Sequence, residues 1–330
     1  MEIEIFSKRK IEDWPSWHLV YEWEDEILKM IPNARLSFES KYYDYIEKVV
    51  RKLKCFNGQF LCNNKLILGF EMNAKIVSDL ENRKNYIPAV IDFFEEENDV
   101  ARFESAHSLN PIVLISSKEV YDWLKGRMRN VKIAHWGLSL SDKYRIVGSE
   151  KFEKKYDFVL FGRQNPVLRS YLEQYAKKYP EVIYVYEKKD EKFNYYTSTG
   201  KYVGYYKSRD EYIRLMRMSR MALYSTPGMD GSRKNTNGFN QVTPKFLEYI
   251  ACGCQLVLRY PDNSDTRYYD LQSFCPSIEN YDDFERIVDK YRFSEPDMKF
   301  YADYLSRHYT SVRVQELKNI LYDIYGYELF

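Results

Sequence analysis

Within Thr243-Pro-Lys-Phe-Leu-Glu248 lie the side chains of this sequence whose types and spacing best suit chemistry. Thr243 suits a helix N-cap, and Pro244 suits the first helical position, where a missing N–H costs nothing. Phe246, Leu247, Ile250 and Ala251 follow at helical spacing, and Gly253 stands where a left-handed residue would close the helix. Lys245 and Glu248 are three apart and so share one face near the helix start. A lysine beside the free N–H groups of a helix N-terminus suits a phosphate, and a glutamate suits a pair of sugar hydroxyls. A solvated ion pair is the other reading of the same spacing. In the first half, Asp92, Glu95 and His107 are the general-base candidates, because they sit at or after the end of the apolar run 86–94. Ligands of open α/β sheets are met at the carboxyl ends of strands. An acidic, solvated helix start is the alternative for that segment.

The elements that must position these residues alternate between strand and helix. In the first half, strands are predicted at 1–7, 66–70, 86–94, 111–115 and 131–135, with helical periodicity at 14–30, 42–53 and 118–129. A polar stretch at 139–155 breaks the rhythm and sets a domain boundary near 150. The second half restarts with a strand at 156–162, a helix at 166–179 and a strand at 181–186. A polar, tyrosine-rich loop at 192–200 follows, then 202–204, a helix at 209–218 and a strand at 220–225. The loop 226–242 leads into the helix of Lys245 and Glu248, and 255–259 is the next strand. Helices at 281–291 and 296–309 precede an amphipathic tail, 311–330, expected to pack back on the first domain. The expected fold class is α/β, with Rossmann-like domains at 1–150 and 151–310.

Composition removes several classes of function. The 330 residues carry 50 basic and 49 acidic side chains, a net charge of +1, so no global field points to nucleic acid. Five cysteines form no CxxC pair and four histidines are scattered singly, which argues against a zinc site. The odd cysteine count, the lack of an apolar leader after Met1 and the lack of an 18-residue apolar run together predict a soluble protein of the cytoplasm. Peripheral attachment to the inner face of a membrane stays open. The 32 tyrosines suit polar-tipped surfaces such as carbohydrate sites, and compositional drift is the competing explanation. All five tryptophans precede residue 150, as core packing or an aromatic-lined acceptor cleft would require.

Taken together, residues from about 150 to 310 resemble the donor domain of GT-B glycosyltransferases, in particular the group 1 and CgeB-like branches. Phe158-Val-Leu-Phe-Gly-Arg163 is similar to the family's apolar strand ending in Gly-Arg, and Arg169 falls where several members place a second arginine. Tyr202-Val-Gly204-Tyr205 resembles the segment that contacts the nucleobase. Ser219-Arg-Met-Ala-Leu-Tyr-Ser-Thr226 resembles the strand that enters the sugar loop, and 243–253 resembles the family's (R/K)xxE…ACG helix. The resemblance implies two Rossmann-like domains facing a central cleft, the first for the acceptor and the second for the donor. It implies that Lys245 and Arg163 neutralise the donor diphosphate and that Glu248 accepts from the ribose hydroxyls. Asn240 stands eight positions before Glu248, where retaining members carry glutamate, and leaves retention or inversion undecided. No Asp-x-Asp triplet is present, and neither metal nor separate cofactor is implied. The implied activity is transfer of a hexosyl or related group from a nucleotide-diphosphate sugar to a glycan or lipid-linked acceptor, in surface polysaccharide biosynthesis. A non-catalytic nucleotide-sugar or glycan-binding partner and a nucleotide-sugar epimerase are the alternatives.

Overall fold

Short apolar runs flanked by helical segments form parallel strands because both faces of such a sheet are covered. Ile3 and Ile5, Leu66 and Leu68, and Ile87, Ala89 and Val90 are all buried in this way. The computed structural model describes residues 2–38, 65–74, 83–189 and 192–326. The helix expected at 42–53 lies outside them, as do Cys55 and Cys62. The chain divides into two compact units, Met1–Ser141 with Thr310–Phe330, and Asp142–Tyr309.

Among the described residues, the first unit contains β1 (Glu2–Ser7), α1 (Pro15–Met30), β2 (Arg35–Phe38), β3 (Lys65–Glu71), β4 (Tyr86–Val90), α2 (Val100–Ala106), β5 (Val113–Ile115), α3 (Lys118–Lys125) and β6 (Ile133–His135). Its strands pair in parallel in the order β2-β1-β3-β4-β5-β6. The second unit runs β7 (Tyr156–Leu160), α4 (Pro166–Lys178), β8 (Tyr184–Lys189), β9 (Phe193–Thr197), β10 (Tyr202–Tyr205), α5 (Arg209–Arg217), β11 (Ser219–Ser225), α6 (Lys245–Ala251) and β12 (Gln255–Arg259). Helices α7 (Ser264–Tyr268), α8 (Tyr281–Arg292) and α9 (Met298–Leu305) complete it. The last helix, α10 (Thr310–Tyr325), returns to the first unit, where it packs on α1 and its Arg313 carbonyl accepts from Trp136 Nε1 at 2.8 Å.

The second sheet has the order β10-β9-β8-β7-β11-β12. Strands β8, β7, β11 and β12 are parallel, while β9 and β10 are added antiparallel. The segment read from sequence as a polar loop is therefore strand β9. Phe-Asn-Tyr-Tyr-Thr has the aromatic and β-branched content of a strand, and its polarity reflects a solvent-facing side. The chain leaves β7 toward β8 on one side and returns to β11 on the other, so the strand order reverses at β7 and β11. The carboxyl ends of two such strands form the crevice in which open α/β sheets hold ligands.

Candidate functional site

That crevice in the second unit is a pocket bounded by Arg163, Asn165, Tyr224, Ser225, Thr243 and Lys245. Gly162 ends the run after β7 in the left-handed region (φ 64°), and a Cβ there would lie 2.5 Å from Lys245 Nζ. Only glycine allows both the turn and the close approach of the ammonium. Lys245 donates to the Phe161 carbonyl across the same turn. Asn165 caps α4, its Oδ1 accepting from Val167 N (2.9 Å) and Leu168 N (3.0 Å). The N-cap of α6 is Pro244 rather than Thr243. The Thr243 amide instead donates to the Tyr224 hydroxyl at 2.9 Å, which draws the threonine off the helix axis and onto β11. Burial pushes that phenol up to about 12, so it remains protonated. Helix α6 has only seven residues, and a helix dipole amounts to about half a charge at best. The full charges of Lys245 and exposed Arg163 therefore dominate the local field.

Burial lowers the Lys245 ammonium from its usual value and Arg163 adds to the effect, while the carboxylates of Glu187 and Glu248 oppose it. Glu187 is a residue the sequence reading missed. It lies on β8, in register with Tyr195 and one step beyond the Leu160–Tyr186 pair, which brings it beside Phe161 and Gly162. Burial raises its carboxyl, opposed by Lys245 and by the Gly162 amide that donates to it. Glu248 is 4% exposed, and its Oε1 accepts from Arg209 Nη2 at 2.7 Å. Arg209, 8% exposed at the start of α5, was also missed. The structure thus pairs Glu248 with Arg209, on another helix, and draws Lys245 to the turn after β7. The two do not bond to each other as a surface i,i+3 pair would.

The loop 226–242 is held by its own side chains. Thr226 Oγ1 donates to Asn240 Oδ1 at 2.8 Å, which brings these two candidate residues together. Asp230, at φ 51°, receives Arg259 through two contacts (2.5 and 3.0 Å) and Asn165 Nδ2 at 2.8 Å. Buried Asp265 accepts from the Val242 amide, and Asn263 donates to the Asn240 carbonyl at 3.2 Å. Arg169 is exposed on α4 and bonded to Glu173 at 2.9 Å; it does not bound the pocket. Gly204 and Tyr205 lie on the edge strand β10, with Lys192 and Lys207 ammonium groups 4.7 and 5.4 Å from the Tyr205 ring centre.

In the first unit, Asp92 is half-buried just past the end of β4. Glu95 is buried and bonded to Arg102 at 2.7 Å. His107 is wholly enclosed, packed edge-on against Phe103, with Nδ1 2.9 Å from Asn110 Oδ1. Burial lowers its value to about 4, which keeps it a neutral core residue at physiological pH. Of the three candidates, Asp92 alone is half-buried, while Glu95 and His107 are buried. Strand order in this sheet reverses at β1 and β3, which end in buried Ser7 and Glu71. Neither was singled out from sequence. Among the described residues, no three His, Cys, Asp or Glu side chains are grouped to hold a metal ion, and no helix is long and apolar enough to cross a membrane.

No family model matches the chain, and no curated protein matches it. Solved structures do. AviGT4, a glycosyltransferase involved in avilamycin A biosynthesis, is 9% identical over 99% of both chains with a TM-score of 0.56. Sucrose-phosphate synthase from Thermosynechococcus elongatus is 8% identical over 99% of both chains, also at 0.56. MnaA of S. aureus, solved with UDP, is 8% identical over 99% of both chains at 0.50. At such identities the likeness speaks to architecture: the chain has the two-sheet α/β fold of the GT-B glycosyltransferases.

Proposed function

We propose that this protein is a glycosyltransferase that moves a hexosyl or related group from a nucleotide-diphosphate sugar to a glycan or lipid-linked acceptor, in surface polysaccharide assembly at the cytoplasmic side of the membrane. The observation that carries the reading is the pocket at the strand-order reversal of the second unit, with Lys245 and Arg163 at its rim. In this reading the second unit binds donor and the first binds acceptor. Transfer breaks the bond between the anomeric carbon and the diphosphate oxygen and forms a bond from that carbon to an acceptor hydroxyl oxygen. The electron pair leaves with the nucleoside diphosphate, and the hydroxyl proton passes to a base, for which Asp92 is the candidate. Two cations fixed beside the leaving group stabilise the charge that develops on it most in the transition state, with no metal in the scheme. Glu248, already fixed by Arg209 at Oε1, offers Oε2 to the ribose hydroxyls. Thr226 and Asn240 face the sugar, Gly204 serves the nucleobase, and Arg169 supplies outer positive charge. That MnaA was solved with UDP makes uridine nucleotides the first donors to test.

The test is release of nucleoside diphosphate from a panel of nucleotide sugars, with and without mixed glycan and lipid-linked acceptors. Release from one donor that depends on acceptor is the expected result. Asp92→Asn should slow transfer while leaving nucleoside diphosphate affinity intact. No release from any donor, together with no nucleoside diphosphate binding, would overturn the proposal.

A further inference from the structure

Strands β8, β9 and β10 carry a row of tyrosines on one face. Tyr186 stands directly opposite Tyr196, and Tyr196 directly opposite Tyr202. Tyr184, two residues before Tyr186, falls on the same face by strand alternation. Successive ring centres are 6.2 Å (Tyr184 to Tyr186), 6.2 Å (Tyr186 to Tyr196) and 5.4 Å (Tyr196 to Tyr202) apart. The adjacent row is Lys188, Asn194 and Tyr205, again opposite one another. The other face is core: Val185 is fully buried and Tyr195 is 2% exposed. The tyrosine row is not, and Tyr202 is 51% exposed. Cross-strand aromatic pairing stabilises such a hairpin, yet rings left partly in water keep apolar surface that an interaction would cover.

We propose that this face binds an acidic glycan, apart from the donor pocket. Each ring offers a flat apolar surface with a phenol at its edge, and a pyranose offers a flat C–H face with hydroxyls at its rim. The ring spacing is close to the length of one sugar residue along a chain. The two rows contain tyrosine, lysine and asparagine, with no aliphatic side chain of the kind that anchors a protein partner or a lipid tail. Charge selects the class of glycan: between Tyr184 and Lys207 the sequence carries Lys188, Lys189, Lys192, Lys201 and Lys207 against Glu187, Asp190 and Glu191, and Glu187 pairs with Tyr195 on the core face. Lys192 and Lys207 already sit over Tyr205, so stacking surface and positive charge are interleaved. The choice of a glycan over other polyanions rests on the proposed glycosyl transfer, for which this surface would hold a growing acidic chain.

Native affinity electrophoresis through gels containing alginate, a uronic acid chain, tests this. Alginate should retard the protein, whereas neutral dextran, poly-L-glutamate and poly(U) should do so far less. The double variant Tyr196→Ala/Tyr202→Ala should lose the retardation. Tyr202→Ala alone, at the most exposed ring, should weaken it with an unchanged melting curve, which separates the effect from misfolding. Lys245→Ala should be retarded like wild type, so that this proposal and the donor site fail or stand separately. Absence of retardation, retardation that survives loss of the rings, or equal or stronger retention by dextran, poly-L-glutamate or poly(U) would overturn it.

Discussion

Replacing Gly162 by alanine perturbs the candidate site at one atom and in two separable ways. The backbone at Gly162 is left-handed, at φ 64°, and a side chain in that region costs about 1–2 kcal/mol. For a domain of this size, that corresponds to a fall in melting temperature of about 2–8 °C. The new Cβ would also lie 2.5 Å from Lys245 Nζ, where ordinary contact begins at 3.4 Å, so the ammonium must retreat. The end of a lysine moves at little cost in stability, but it would lose the position from which it meets an anion. A charge-assisted hydrogen bond is worth about 1.5–3 kcal/mol, so affinity for a nucleoside diphosphate should fall by about 10- to 150-fold. Urea denaturation and calorimetric titration measure the two effects on the same sample. Lys245→Ala in the same chain removes the clash but not the backbone cost. The double variant should therefore be about as unstable as Gly162→Ala and bind no worse than Lys245→Ala. A Gly162→Ala protein with wild-type stability and affinity would refute both the backbone argument and the placement of Lys245.

Breaking the Arg209–Glu248 pair from either side should be strongly destabilising, because each removal leaves a buried charge without its partner. Arg209→Ala or Glu248→Ala should each cost about 3–5 kcal/mol in chemical denaturation, and the double variant less than their sum. Asp230→Ala should free the loop 226–242, read as faster proteolytic cleavage there with the rest of the second unit intact. The hydrogen bonds from Arg259 hold the Asp230 carboxyl below its ordinary value, helped by Asn165 and opposed by partial burial. Its folded value is depressed, so its contribution is complete above the unfolded value of about 4 and is lost as pH falls through the lower folded value. Wild-type loop protection should therefore decline in that acid window, and the Asp230→Ala loop should show no such step. Protection unchanged by the substitution would remove Asp230 as the fastener.

Much of the frame was legible because it rests on local pattern. Apolar runs and helical periodicity marked β7, α4, β11, α6 and β12 to within a few residues, and Gly162 and Lys245 stood out by type. Contacts between elements distant in sequence were not legible. Arg209 and Glu248 are 39 positions apart, and nothing local in Ser-Arg-Asp-Glu signals that its arginine turns inward. Asp230 and Arg259, 29 apart, meet only because β12 ends beside the loop. Glu187 was lost when the strand was ended at Tyr186, three residues before β8 stops. β9 was read as loop because a strand with one wet face resembles a polar linker in composition. His107, attractive by residue type, proved to be core, since type alone does not report burial.

Thermal unfolding with a panel of nucleoside diphosphates, UDP first, tests the donor pocket most directly. A ligand that binds only the folded state adds about 2.7 kcal/mol at one hundred times its Kd, or about 5–11 °C here. The account predicts such a shift with one nucleoside diphosphate, and its loss in Lys245→Ala at unchanged ligand-free stability. No shift with any of them, or an equal shift in wild type and Lys245→Ala, would contradict it.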